Sequence, residues 1–231
     1  MNDKLIEILS KYKIEDIIEL ERKDRQFIAI KSLFESLENK SYFLSLIVTN
    51  ALLSYQLSSS GEEYWEEFCQ FASEYKFWIW FKINVLKEFF EIFLIQSKWN
   101  KRLVNMKKIR INKILKFIDK FHDNEAFYYE NMTVFLNDLS TAMAQKKTAK
   151  TLVFAVKMFS YGARIYFDKF ILVPYEVAMP MDSRISKITK IYNNSNLSPL
   201  DFWFQISEKV GIPCIHLDAL LWTKCDDFIC F

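Results

Sequence analysis

An all-α fold is the prediction, and three features of the sequence carry it. Glycine and proline are scarce, three and four respectively in 231 residues, so few positions are available for breaking helices or making tight turns. Leu, Ile, Lys, Glu and Phe dominate instead, a helix-favouring set whose apolar content of 51% can fill a substantial core. Along much of the chain the apolar residues recur at helical spacing. The length suits one large domain or two small lobes.

Taken in order, residues 3–38 read as one or two amphipathic helices through Leu5, Ile6, Leu9, Ile17, Ile18, Leu20, Phe27, Ile28, Ile30, Leu33 and Phe34. The nearly all-apolar segment 42–57 predicts a central buried helix. Gln56 near its end is either a satisfied core amide or a hydrogen-bonding group for a ligand edge. Ser58-Ser59-Ser60-Gly61 breaks the chain, and serine followed by Glu62 and Glu63 starts the next helix. Phe77, Trp78, Trp80, Phe81, Phe89, Phe90 and Phe93 form an aromatic stripe that reads as core. A basic helix over roughly 100–120 and a helix over 126–143 lead to the turn Gln145-Lys146-Lys147-Thr148, making a helical hairpin whose tip offers backbone N–H groups to phosphate. Past a helix carrying Lys150, Pro174 and Pro180 enforce an extended passage. Helices follow over 184–193, from Pro199 to Gly211-Ile212-Pro213, and over about 214–223.

Charge and cysteine usage narrow the function. The net charge is only +2, yet between Lys98 and Lys120 nine basic residues face one acid, Asp119. Such a run is a solvated helix face or a surface for a phosphate backbone. Trp99 beside Lys101 and Arg102 suits nucleic acid. No apolar run reaches the roughly 18 residues of a membrane span, and no export signal opens the chain, so a cytoplasmic protein is expected. Cys69, Cys214, Cys225 and Cys230 form no CxxC pair and have only His122 and His216 for company, which argues against zinc and iron–sulfur sites. No metal or organic cofactor is implied.

The candidate chemistry lies between 149 and 184. At offsets of zero, four and seven, Lys150, Phe154 and Lys157 share a helix stripe. With Thr148 as N-cap, Lys150 falls in the first turn, where the helix dipole disfavours an ammonium; a desolvated lysine there is a nucleophile. Asp182 stands where a helix begins at Ser183, and a capping carboxylate stays ionised because backbone N–H groups bond its charged form. On spacing alone, Asp182 reads first as a simple cap and Lys150 as a solvated surface charge.

Five ordered blocks go further: NALLSYQLS at 50–58, GEEYW at 61–65, KTLVFAVKM at 150–158, PMDSR at 180–184 and HLDALLW at 216–222. Through them the chain resembles the archaeal 8-oxoguanine DNA glycosylases, a branch of the helix-hairpin-helix superfamily, from about Asp24 to Lys224. Unlike the superfamily's frequent Gly-rich hairpin tip, Ser140–Ala149 contains no glycine. The resemblance implies two α-helical lobes, about 1–60 with 185–231 and about 61–184, the second holding the hairpin at about 126–161 and the active site lying between them. It implies release of 8-oxoguanine from damaged DNA with strand nicking by a lyase step. Lys150 becomes the nucleophile and Asp182 its partner. Gln56, Phe154, Lys157, Asp218 and Trp222 line the base pocket, with Trp99 as a further pocket tryptophan, and Lys101, Arg102, Lys146 and Lys147 meet the DNA backbone. Two points stay open: Asp218 is satisfied by base or by protein, and Lys157 packs beside the base or pairs with a carboxylate. A monomer acting at the nucleoid is expected; the alternatives are a related glycosylase for another damaged base and a catalytically silent DNA-binding protein.

Overall fold

The computed structural model describes residues 3–77 and 80–229; Trp78 of the aromatic stripe and Cys230 lie outside them. Among the described residues the regular elements are helices: α1 (Asp3–Leu9), α2 (Ile14–Arg22), α3 (Arg25–Ser36), α4 (Phe43–Leu53), α5 (Gly61–Glu74), α6 (Ile83–Gln96), α7 (Val104–His122), α8 (Glu125–Glu130), α9 (Met132–Met143), α10 (Lys150–Tyr166), α11 (Ser183–Tyr192), α12 (Pro199–Val210), α13 (Cys214–Thr223) and α14 (Cys225–Ile229), with a short 3₁₀ turn at Lys40–Tyr42. None is long and apolar enough to cross a membrane.

Local rules account for most boundaries. Asp24 caps α3 by accepting from the Gln26 N–H, and Ser60 with Glu63 forms the capping box that starts α5. Ser198 accepts from Asp201 N–H at the start of α12, Pro199 takes the first turn, and Gly211 closes the helix in the left-handed region. The single helix expected over 126–143 is two, broken at Asn131, and the one expected from 100 begins only at Val104 because Leu103 adopts a left-handed conformation. The segment 3–38 holds three helices, since Asp24 opens a new one directly after α2.

Apolar side chains fall into two clusters. The larger is built from α3 to α10 around α4, every residue of which is buried; α10 lies along α4, and α3 along α5. The smaller gathers α1, α2 and α11 to α14 around Trp203, Phe202 and Leu217. α13 is buried from Cys214 to Leu221, and its Ile215 belongs to the larger cluster while Leu217 and Leu220 belong to the smaller. A buried polar seam crosses the same boundary. Glu21 accepts from Arg164 at 3.0 Å and from His216 Nδ1 at 2.7 Å, while His216 Nε2 accepts the Val173 N–H, which assigns the ring proton to Nδ1. Charges hidden this way are tolerated only when paired and hydrogen-bonded.

Candidate active site

A cavity of about 510 Å³ opens where the two clusters meet. Its walls come from Gln26 of α3, the loop after α4 (Ser54, Tyr55, Gln56, Leu57, Ser59), Gly61 and Trp65 of α5, one stripe of α10, the Pro180–Ser183 passage, and Asp218 and Trp222 of α13.

The stripe on α10 forms as its spacing predicts. Lys150 is exposed, Phe154 half-buried and Lys157 buried, so the three descend from mouth to floor. The cap differs from expectation: Ala149, not Thr148, is the extended residue before the helix, its carbonyl accepting from Leu152 and Val153. Lys150 is therefore the first helical residue, even closer to the positive end of the dipole. Asp182 reaches the same cavity from α11, where its Oδ1 accepts the Ile185 N–H at 2.7 Å. The amine and the carboxylate thus line one cavity from two helix starts.

At the floor, Lys157 Nζ donates to Asp218 Oδ2 at 2.6 Å, so within the free protein Lys157 pairs with a carboxylate and Asp218 is satisfied by protein. Burial opposes the Lys157 charge, but the carboxylates of Asp218, Asp24 and Glu21 outweigh it and raise its pKa. Burial pushes the Asp218 carboxyl above the usual carboxylate range, against the pull of Lys157. Tyr161, one turn along from Lys157, donates to Asp24.

Trp222 closes one side. Its Nε1 donates to Glu62 Oε1 at 2.9 Å, and the Arg184 guanidinium lies 3.7 Å from its ring centre. Gln26 and Trp65 are among the wall residues that the sequence-predicted set lacks. Gln26 is buried on α3, and Gly61 makes room for it, since a Cβ there would stand 2.9 Å from the Gln26 amide nitrogen. Trp65 is fully buried, yet among the described residues its Nε1 has no hydrogen-bond partner. An unpaired donor on a cavity wall is available to a ligand acceptor.

The remaining expected residues stand at the rim of the cavity or away from it. α4 stops at Leu53, where the Ser54 hydroxyl turns back to the Asn50 carbonyl, so Gln56 is an exposed rim residue in a left-handed conformation rather than a core amide. Trp99 does not reach the cavity; half-buried, it packs against the larger cluster and its carbonyl receives the Ser58 N–H. Lys101 and Arg102 are exposed before α7, and Lys146 and Lys147 in the turn between α9 and α10. That turn has no glycine; Ala144 takes the left-handed position instead. Arg110 ties the two basic segments together by donating to Gln145 at 2.9 Å. Among the described residues no group of His, Cys, Asp and Glu converges to hold a metal ion, and burial pushes the Cys214 thiol up to about 12, far from a reactive thiolate.

Comparison with known proteins gives the family and the fold. The family described as N-glycosylase/DNA lyase matches residues 6–226. An N-glycosylase/DNA lyase of Thermococcus kodakarensis is 39% identical over 224 residues, 95% of this chain and 82% of that protein. One from Methanococcus maripaludis is 37% identical over 222 residues, 95% of this chain and 86% of its own. Among solved structures, the 8-oxoguanine DNA glycosylase of Pyrobaculum aerophilum, complexed with 8-oxoguanosine, superposes with a TM-score of 0.83 at 26% identity, covering 97% of this chain and 87% of that one. The chain belongs to the N-glycosylase/DNA lyase family.

Proposed function

We propose that the protein excises 8-oxoguanine from DNA and then nicks the strand, with Lys150 as nucleophile and Asp182 as its electrostatic partner. One observation carries this reading: an amine at a helix start and a capped carboxylate line a single cavity that also offers Phe154, Trp65 and Trp222 as aromatic surface.

A glycosidic carbon inside a duplex is inaccessible, so the nucleotide is extruded, and the ring faces replace the stacking it loses. The neutral Lys150 amine attacks the deoxyribose C1′, the glycosidic bond breaks, and the base departs with its bonding pair and takes up a proton. The ionised Asp182 opposes the positive charge that develops on the sugar. Ring opening converts the adduct to an imine, which acidifies a C2′ proton; its removal expels the 3′ phosphate and cuts the strand.

8-Oxoguanine differs from guanine in a carbonyl at C8 and a proton on N7. The unpaired Trp65 Nε1 suits the carbonyl, and an acceptor for the N7 proton comes from the Gln56 amide, a backbone carbonyl of its loop, or Gln26. Asp218 accepts from the base's N1 and N2 donors while keeping Lys157. Lys101, Arg102, Lys146 and Lys147 meet the phosphate backbone, a role supported by their exposure on adjoining segments. The protein has two lobes, about 1–60 with 185–231 and about 61–184, with the cavity between them, although α3 and α4 pack into the larger apolar cluster. The enzyme acts as a monomer on damaged double-stranded DNA at the nucleoid.

Borohydride trapping tests the proposal on a duplex with one 8-oxoguanine, beside undamaged guanine and uracil controls. A lesion-dependent protein–DNA adduct that disappears in Lys150→Gln supports it. Unchanged excision by Lys150→Gln, or an adduct independent of the lesion, refutes it.

A further inference from the structure

α7 buries a lysine that no step of this chemistry uses. Lys107 is wholly withdrawn from solvent, and among the described residues no carboxylate pairs with it. Its ammonium donates instead to the backbone carbonyl of Tyr55 at 2.7 Å and to the Asn100 side-chain oxygen. The Tyr55 ring centre lies 4.7 Å from the same nitrogen, with the Arg110 guanidinium 5.3 Å from that ring. Asn100 is itself held, donating to the Tyr64 hydroxyl at 3.0 Å and to the Leu53 carbonyl at 3.4 Å. Burial without a counter-charge pulls the Lys107 pKa down to about 8. A methionine of similar length would fill this space without that penalty.

What the ammonium holds is the loop after α4. Residues 54–57 and 59 of that loop form one wall of the cavity. The loop is pinned at two points: to α7 itself, where Lys107 donates to the Tyr55 carbonyl, and to the segment before α7, where the Ser58 N–H and hydroxyl both donate to the Trp99 carbonyl at 2.9 and 3.0 Å. Between the pins Gln56 sits at a φ of +51°, a conformation that a glutamine does not keep unaided. We propose that Lys107 is a positioning residue that fixes this loop as the wall against which the extruded base sits. The inference rests on the reading of the cavity as the damaged-base site. It separates two halves of the reaction, because the base needs that wall and a baseless sugar reacting with Lys150 does not.

The experiment assays Lys107→Met beside the wild type on two duplexes, one with 8-oxoguanine and one with an abasic site. The expected result is a loss of about tenfold or more in kcat/KM on the lesion duplex, carried mainly by KM, with borohydride trapping on the abasic duplex within about twofold of wild type. Equal losses on both substrates, as a general weakening of the fold would produce, or no loss on either, overturn the inference. Should Lys107→Met not accumulate as folded protein, Lys107→Leu, which likewise removes both the donor to the Tyr55 carbonyl and the buried charge, is read on the same two duplexes against the same criteria. A wild-type protein that releases no 8-oxoguanine would overturn the function itself; wild-type release with an unchanged ratio in the variant overturns only the role of Lys107.

Discussion

Lys157 Nζ and Asp218 Oδ2 meet at 2.6 Å with both side chains almost fully buried, joining α10 of the larger apolar cluster to α13 beside the smaller. Removing either partner leaves the other charge buried and unpaired. Lys157→Met and Asp218→Leu are each expected to destabilise the fold by about 3–5 kcal/mol, whereas the double variant, which buries no charge, loses much less than their sum. Urea denaturation of the four proteins checks this. Additive single effects would mean that the pair is not coupled.

The same pair predicts a response to alkali. Lys157 titrates above its ordinary value of 10.5 in the fold. A lysine whose folded pKa exceeds its unfolded one contributes stability that is complete below the unfolded value and is lost as pH rises through the folded one. Wild-type stability therefore falls above pH 10.5 more steeply than that of the double variant. Lys107, with its lowered pKa, acts in the opposite sense between about 8 and 10.5, but it is common to both proteins and cancels in the difference. Parallel curves would show that Lys157 carries no charge-linked stability.

How much of this was legible in the sequence depended on range. Lys150, Phe154 and Lys157 were readable because helix periodicity is local, and the cap at Asp182 because proline and aspartate punctuate the chain there. Gln26 and Trp65 were not: they meet only because α3 lies along α5, a tertiary fact with no local signature, although Trp65 stands inside the GEEYW block. Trp99 illustrates the reverse error. Its basic neighbours suggested a ligand role, but the composition of a segment does not say which way a ring points, and here it packs inward. Of the two readings of Gln56 only the core amide fails: the apolar run continued past Leu53, but the Ser54 hydroxyl ended the helix and left Gln56 exposed on the cavity rim.

Trp222 offers a test of the aromatic wall. Base–ring stacking contributes about 1–3 kcal/mol by truncation, so Trp222→Ala should lower kcat/KM on lesion duplex by about tenfold or more. Glu62→Gln keeps an acceptor for the indole N–H, now held at 2.9 Å, and should remain close to wild type. Glu62→Ala removes it, frees the ring to turn, and should raise KM with little change in the trapping rate on abasic DNA. Tryptophan fluorescence follows the wall directly, and an unchanged spectrum and KM in Glu62→Ala would rule out a role for that bond.

Asp182 has two separable duties, and two substitutions part them. As a cap, its Oδ1 accepts the Ile185 N–H at 2.7 Å. Asparagine retains such an oxygen, so Asp182→Asn should keep the α11 start and most of the stability, whereas Asp182→Ala should cost about 1 kcal/mol. As a catalytic carboxylate, however, it acts through charge, which asparagine lacks. Both variants should therefore lose rate alike, by about 10² to 10³, although only one loses stability. Single-turnover base release measured beside thermal unfolding distinguishes the duties. If the rates followed stability, with Asp182→Asn nearly as active as wild type, Asp182 would be a cap alone and the charge opposing the developing cation would have to come from elsewhere in the cavity.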